Sequence, residues 1–228
     1  GSETTGQRVQ GLPTSDAVVQ VGAGVYGACA RTTSGRAYCW GRNDNGEIGD
    51  GATGTRTSAS LVNFPVGVTS WSDLDRDIQH TCAVGNDTSV YCWGLGTDGQ
   101  LGNGTSADAN TPQRVDTAPG IALTGITEAV TGYRHSCARQ GTTKVFCWGR
   151  NTSGEIGNGA GGSLAADVLY AAEVTDLSDP SALTASWGYS CSLRLAGGAV
   201  CWGGNAAGVL ADGTTNTPLT SPSDGVCR

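Results

Sequence analysis

The sequence of 228 residues has no methionine, only two phenylalanines and two histidines, and Lys144 is its single lysine. No apolar run approaches the roughly 20 residues that a membrane-spanning helix needs. The arginines are scattered singly, which excludes the basic stripe of a nucleic-acid surface, and the formal charge of −7, from 13 basic and 20 acidic residues, points the same way. With no serine-centred nucleophile motif and so little histidine, hydrolase chemistry has few groups to draw on. The Gly-Ser start lacks a hydrophobic leader and reads as a processed end.

What the chain does have is glycine, 37 residues, and cysteine, 9 residues. Interior glycine costs a helix roughly 1 kcal/mol relative to alanine, so this composition disfavours long helices and suits short strands joined by tight turns. Eight cysteines fall into the pairs Cys29/Cys39, Cys82/Cys92, Cys137/Cys147 and Cys191/Cys201, with nine residues between partners each time. Such spacing predicts disulfides and hence an oxidising compartment: secreted, periplasmic or at the cell surface. A zinc reading fails on spacing, since Cys-x9-Cys is too wide for a zinc knuckle. The ninth cysteine, Cys227, has no partner in the repeat and is expected to be unpaired or to bridge chains.

The first cysteines are 53, 55 and 54 residues apart, so one module is used four times. Residues 1–17 lack periodicity and read as a flexible lead-in; residues 18–228 read as a single domain with repeats centred on 29–51, 82–104, 137–159 and 191–213. Eight positions before each first cysteine stand Val21, Leu74, Ala129 and Leu183, a repeated apolar position expected to face the core. Polar turn residues between two short apolar runs predict a hairpin with the cysteines opposed across it. Trp40, Trp93, Trp148 and Trp202 follow the second cysteines and are expected to pack between sheets, each indole N–H on a backbone acceptor. Next comes a glycine frame, Gly46-Glu47-Ile48-Gly49 in the first unit, in which Ile48, Leu101, Ile156 and Leu210 plug inward. Ala211 stands where the other units have glycine and predicts an ordinary backbone there.

A sheet unit of this size has two faces to bury, and radial stacking buries both. The expected fold is therefore all-β: a β-propeller of four repeats, closed as a four-bladed ring by a C-terminal strand from the Asn216–Val226 stretch, with an open arc or a fragment of a larger propeller as the alternative. His80-Thr81-Cys82-Ala83-Val84, Val90-Tyr91-Cys92-Trp93-Gly94 and Gly99-Gln100-Leu101-Gly102 resemble the repeat of the regulator-of-chromosome-condensation family of propellers. His135-Ser136-Cys137-Ala138 with Val145-Phe146-Cys147-Trp148-Gly149 follows the same pattern. The resemblance implies the propeller fold, usually of seven blades. Its activities range from nucleotide exchange and chromatin binding to secreted β-lactamase inhibition, and the cysteine pairs look like its exported branch.

Candidate sites are few. His80 and His135 occupy one repeat position and read as structural. Asp44, Asn45, Glu47 and Asp50 do not fit a calcium-loop pattern, and Asn86, Asn103 and Asn151 head formal glycosylation triplets in predicted turns. Asp73, Asp75 and Asp77 alternate along one strand, a solvated edge or a site for a cation or a basic partner; Trp71 and Trp187 lie outside the Trp-Gly position and are the aromatics most able to bind, with burial in an inner strand the other reading for Trp187. The expected function is a non-enzymatic recognition scaffold for a protein partner, with a glycan-binding module or an enzyme using central acids as the rivals. No catalytic residue, metal or cofactor is assigned, and no nucleic acid or membrane span is expected.

Overall fold

Alternation of small apolar and polar residues around each cysteine pair builds strands too short to bury anything alone. The computed structural model describes residues 5–161 and 165–215. Its first sheet is β1 (Val18–Gly24), β2 (Gly27–Thr32), β3 (Ala37–Gly41) and β4 (Arg56–Leu61), in that order. The second is β5 (Trp71–Arg76), β6 (His80–Gly85), β7 (Val90–Gly94) and β8 (Ala109–Arg114), followed by a small hairpin, β9 (Asp116–Ala118) and β10 (Ile121–Ala122). The third is β11 (Glu128–Thr131), β12 (His135–Gln140), β13 (Lys144–Gly149) and β14 (Val168–Glu173); the fourth is β15 (Pro180–Ala185), β16 (Tyr189–Arg194) and β17 (Ala199–Gly203). Pairing within each sheet is antiparallel throughout, and none of the described residues is helical. No helix among them is long and apolar enough to cross a membrane.

The hairpin register places Cys29 opposite Cys39, Cys82 opposite Cys92, Cys137 opposite Cys147 and Cys191 opposite Cys201. All four pairs are disulfide-bonded, with Cα atoms 4.0 to 4.2 Å apart. Three apolar clusters fill the three spaces between successive sheets: Ile48, Leu74 and Trp93 between the first and second, Leu101, Val84 and Trp148 between the second and third, and Ile156, Leu183 and Trp202 between the third and fourth. Leu210, the fourth plug, is buried too.

The inner strands β1, β5, β11 and β15 pack one on the next in chain order, and among the described residues β15 does not pack on β1 to a comparable extent. The described residues thus form an arc, and the closing strand expected from the C-terminal stretch lies outside them, as does Cys227. The first sheet takes its outer strand from β4, whereas the sheet described with three strands is the fourth. Val21 departs from its repeat position: Leu74, Ala129 and Leu183 are buried against the preceding sheet, but Val21 is 71% exposed, with no sheet in front of it among the described residues. Residues read as a lead-in are tied to the first sheet, the Gln10 carbonyl accepting from Ala59 N–H at 2.8 Å and Asp16 accepting from Thr33 Oγ1 at 2.7 Å.

Ala211 also departs from its expectation, with φ at 55°, the left-handed region used by Gly49, Gly102 and Gly157. The loop frame imposes the conformation whatever residue occupies it. In the first three units the glycine has a second reason, because a Cβ at Gly49, Gly102 or Gly157 would lie 2.6, 2.8 or 2.7 Å from the tryptophan of the next sheet.

Candidate functional site

Each inner strand turns into the second strand at the same end of the molecule, and the chain leaves the third strand there too. The repeated bonds Arg42 N–H to Tyr26 O, Leu95 N–H to Gln79 O, Arg150 N–H to Arg134 O and Gly204 N–H to Gly188 O, all 2.8 or 2.9 Å, tie these loops together. Backbone polarity is thereby satisfied locally, which leaves the loop side chains free to vary.

Those side chains are aromatic and charged. Tyr26 is 56% exposed, with the Arg42 guanidinium 5.6 Å from its ring centroid. Tyr133 and Trp187 stack across the third and fourth sheets, centroids 4.3 Å apart and planes 8° from parallel. Gly132 permits that approach, because a Cβ there would lie 2.5 Å from the Ser186 carbonyl oxygen. Arg134 lies 5.1 Å over the Tyr133 ring and is fixed by Asp98 at 2.6 Å. Trp187 is 68% exposed. Asp77 lies on the same end, in the turn between β5 and β6, and burial followed by the charge of Asp75 raises its pKa to about 6.

The other acids expected at an edge are spent between sheets. Asp73 accepts from Gln20 Nε2 of the first sheet at 2.6 Å and from the Ala129 N–H of the third at 2.8 Å. Asp75 accepts from both the N–H and the hydroxyl of Thr131 at 2.8 Å, and desolvation raises its pKa. They bind neighbouring sheets, so the solvated-edge reading does not hold for them. Trp71 is likewise corrected: as the first residue of β5 it faces the preceding sheet, is 1% exposed, and packs on Phe64, Tyr91 and Trp93. Only Asp77 and Trp187 of the five candidates reach the loop end.

The histidines are buried links between sheets. His80 Nε2 and His135 Nε2 lie 2.8 Å from the hydroxyls of Ser136 and Ser190. Ser136 gives its own proton to the Gln100 carbonyl at 3.0 Å, so His80 is the donor in its pair and its Nδ1 is bare and unpartnered. Burial lowers the pKa of His135 to about 4, and burial together with His135 lowers that of His80 to about 3. These neutral imidazoles and the serine hydroxyls they meet are fully buried, closed to solvent and substrate, and act as positioning groups for the scaffold.

Sequence reasoning missed Tyr26, Tyr133 and Arg134. Their signal was available: these residues fall three or four positions before the first cysteine, the one stretch where aromatics come and go between units. It also missed the role of Asn43, Asn151 and Asn205, whose Oδ1 atoms accept the N–H of the plug residues Ile48, Ile156 and Leu210 at 2.9 to 3.2 Å; Asn151, read as the head of a glycosylation triplet, is buried.

The repeat frame accounts for the comparisons with known proteins. The family model described as "Regulator of chromosome condensation (RCC1) repeat" matches residues 87–139, and a second model of the same description matches residues 18–47. This is a chain of RCC1 repeats. It is 28% identical over 222 residues to human "Probable E3 ubiquitin-protein ligase HERC6", covering 94% of this chain and 20% of that protein. Human WBSCR16 has the same fold with a TM-score of 0.81 at 21% identity, over 95% of this chain and 54% of that one. Yeast RCC1 (Prp20), solved with Kap60 bound, gives 0.77 at 17% identity, over 94% and 50%. The RCC1 repeats here therefore span a fifth of HERC6 and about half of the two solved propellers.

Proposed function

We propose that this array of RCC1 repeats is a non-enzymatic recognition module, working outside the reducing cytosol, that binds a protein through its loop end. The observation that carries the reading is Trp187, 68% exposed with one ring face stacked on Tyr133 and Arg134 alongside. Tryptophan, tyrosine and arginine are the residues that dominate protein interfaces, and a stacked pair loses little side-chain entropy on binding. The yeast structure with Kap60 bound supports protein binding by analogy of fold alone. Four disulfides support an oxidising compartment.

The enzyme reading loses two of its three acids, since Asp73 and Asp75 hold neighbouring sheets together. A photo-crosslinking residue placed at 187 or 133, with one at exposed Thr57 on the outer strand as control, tests the proposal in extracellular material from the native source. The expected result is one protein species captured at both loop positions, missed at position 57, and lost when Arg134 becomes alanine. Capture at position 57 alone, or none at the loops, would falsify it.

A further inference from the structure

Five positions before the first cysteine the four units carry Gly24, Asp77, Gly132 and Ser186, so the repeat frame itself requires no acid there. Seven positions before it stand Gly22, Asp75, Val130 and Thr184, again with a single acid. Asp75 has a task in the scaffold, since it accepts from Thr131 of the third sheet. The Asp77 carboxylate is met only by the backbone N–H of Ile78 beside it. Burial, followed by the charge of Asp75, raises its pKa to about 6, so near neutral pH the ionised group costs stability. A costly group that the frame does not require is the mark of a functional position.

Asp77 and Asp75 line a cavity of about 330 Å³ together with Thr131, Thr184 and Ser186, and all four inner strands contribute to its wall. So polar a lining does not suit an apolar ligand. The cavity also lacks a counter-charge. Arg76, between the two acids in sequence, donates from Nη2 to the Arg42 carbonyl of the first sheet at 2.8 Å. The lining from β1, β11 and β15 carries no titratable side chain. Neither Asp75 nor Asp77 enters an ion pair among the described residues.

Ser186 joins this cavity to the aromatic pair. Its carbonyl accepts from the Tyr133 N–H at 3.2 Å, and the residue after it is Trp187, with one ring face on Tyr133 and the rest exposed. An open indole face thus adjoins a polar cavity holding an uncompensated carboxylate, on a chain whose formal charge is −7. Complementary charge favours a basic partner. We infer that the protein partner presents a lysine or arginine side chain that crosses the open face of Trp187 and sets its cationic head in this cavity against Asp77. The inference rests on the loop end being the recognition surface. The indole carries the alkyl stem and attracts the charge, while Asp77 accepts an N–H in a charge-assisted hydrogen bond. Only the ionised carboxylate serves, so binding tightens as pH rises through about 6.

The test needs no native partner. A capped Gly-Arg-Gly tripeptide is titrated into the full chain, and the amide signals of Thr131, Ser186 and Trp187 are followed by nuclear magnetic resonance. Those signals should move with arginine or lysine at the centre of the tripeptide and stay still with glutamate or norleucine. Asp77→Asn, with unchanged circular dichroism, should weaken the arginine tripeptide about tenfold, the value of one charge-assisted hydrogen bond, and should flatten the pH dependence. Equal binding by Asp77→Asn, an equal response to glutamate, or calcium chloride moving the same signals at the same concentration overturns the assignment. Crosslinking at position 187 separates this inference from the reading it rests on. Undiminished capture of the native protein by Asp77→Asn sinks the cavity and leaves the recognition surface standing. No capture by the unaltered chain removes the recognition reading and, with it, the partner's side chain as the occupant.

Discussion

At the residue scale, the tryptophan after the second cysteine has two tasks. Trp148 fills the space between the second and third sheets, and its N–H meets the buried Gln100 carbonyl at 2.9 Å. Trp148→Ala should cost about 3 to 5 kcal/mol, the range for deleting a fully buried aromatic, measured by denaturant unfolding; a loss below about 1 kcal/mol would place the indole outside the core. The buried titrating groups give opposite dependences on pH. An unfolded histidine titrates near pH 6.5, while folded His135 and His80 titrate at about 4 and about 3. Between those values the unfolded chain binds more protons, so their contribution to stability is complete above about pH 6.5 and is lost as pH falls. Asp77 runs the other way, because its folded pKa of about 6 lies above the unfolded value of 3.8. The folded chain holds the extra proton in that window, and the stabilisation is lost as pH rises through 6. Asp77→Asn should therefore raise the urea midpoint more near pH 7.5 than near pH 5, and an equal gain at both would show that Asp77 titrates normally.

At the element scale, each hairpin is fixed by a disulfide between directly opposed residues and by a loop whose glycine admits the next sheet. Replacing Cys137 and Cys147 together by alanine should cost about 3 kcal/mol from loop-closure entropy, with the other three bridges intact on non-reducing peptide maps. The glycine frame separates two effects. Gly102→Ala combines a positive φ of 65° with a Cβ 2.8 Å from Trp148, so it should destabilise by well over about 1 kcal/mol. The reverse change in the fourth loop, Ala211→Gly, relieves a left-handed alanine and should stabilise by about 1 kcal/mol, unless the loop frame is looser there than its φ of 55° implies.

At the scale of the whole molecule, the described sheets form a row in which each packs chiefly on its neighbours, so stability is expected to follow nearest-neighbour contacts. Function then falls to surfaces outside the row's internal contacts. Trp187→Ala should leave the thermal midpoint almost unchanged, since the ring stacks on Tyr133 alone, while abolishing partner capture at the loop end. A large fall in midpoint would show instead that the Tyr133–Trp187 stack holds the third and fourth sheets together.

The sequence by itself determined the module. Cysteine pairs, Trp-Gly steps and glycine loops recur at constant offsets because each answers a local demand: two strands opposed, one gap filled, one turn with positive φ. These demands are met within about 25 residues, so pattern alone exposes them. Tertiary structure decided everything that depends on having a neighbour. Val21 and Leu74 share an offset, yet one is 71% exposed and the other 1%, because among the described residues only the second has a sheet in front of it. Trp71 and Trp187 looked alike as irregular aromatics, and the start of an inner strand buried the first while a turn exposed the second. Asp73 and Asp75 became links because the next sheet presents N–H groups to them, a partner some 56 residues away that no local spacing reveals.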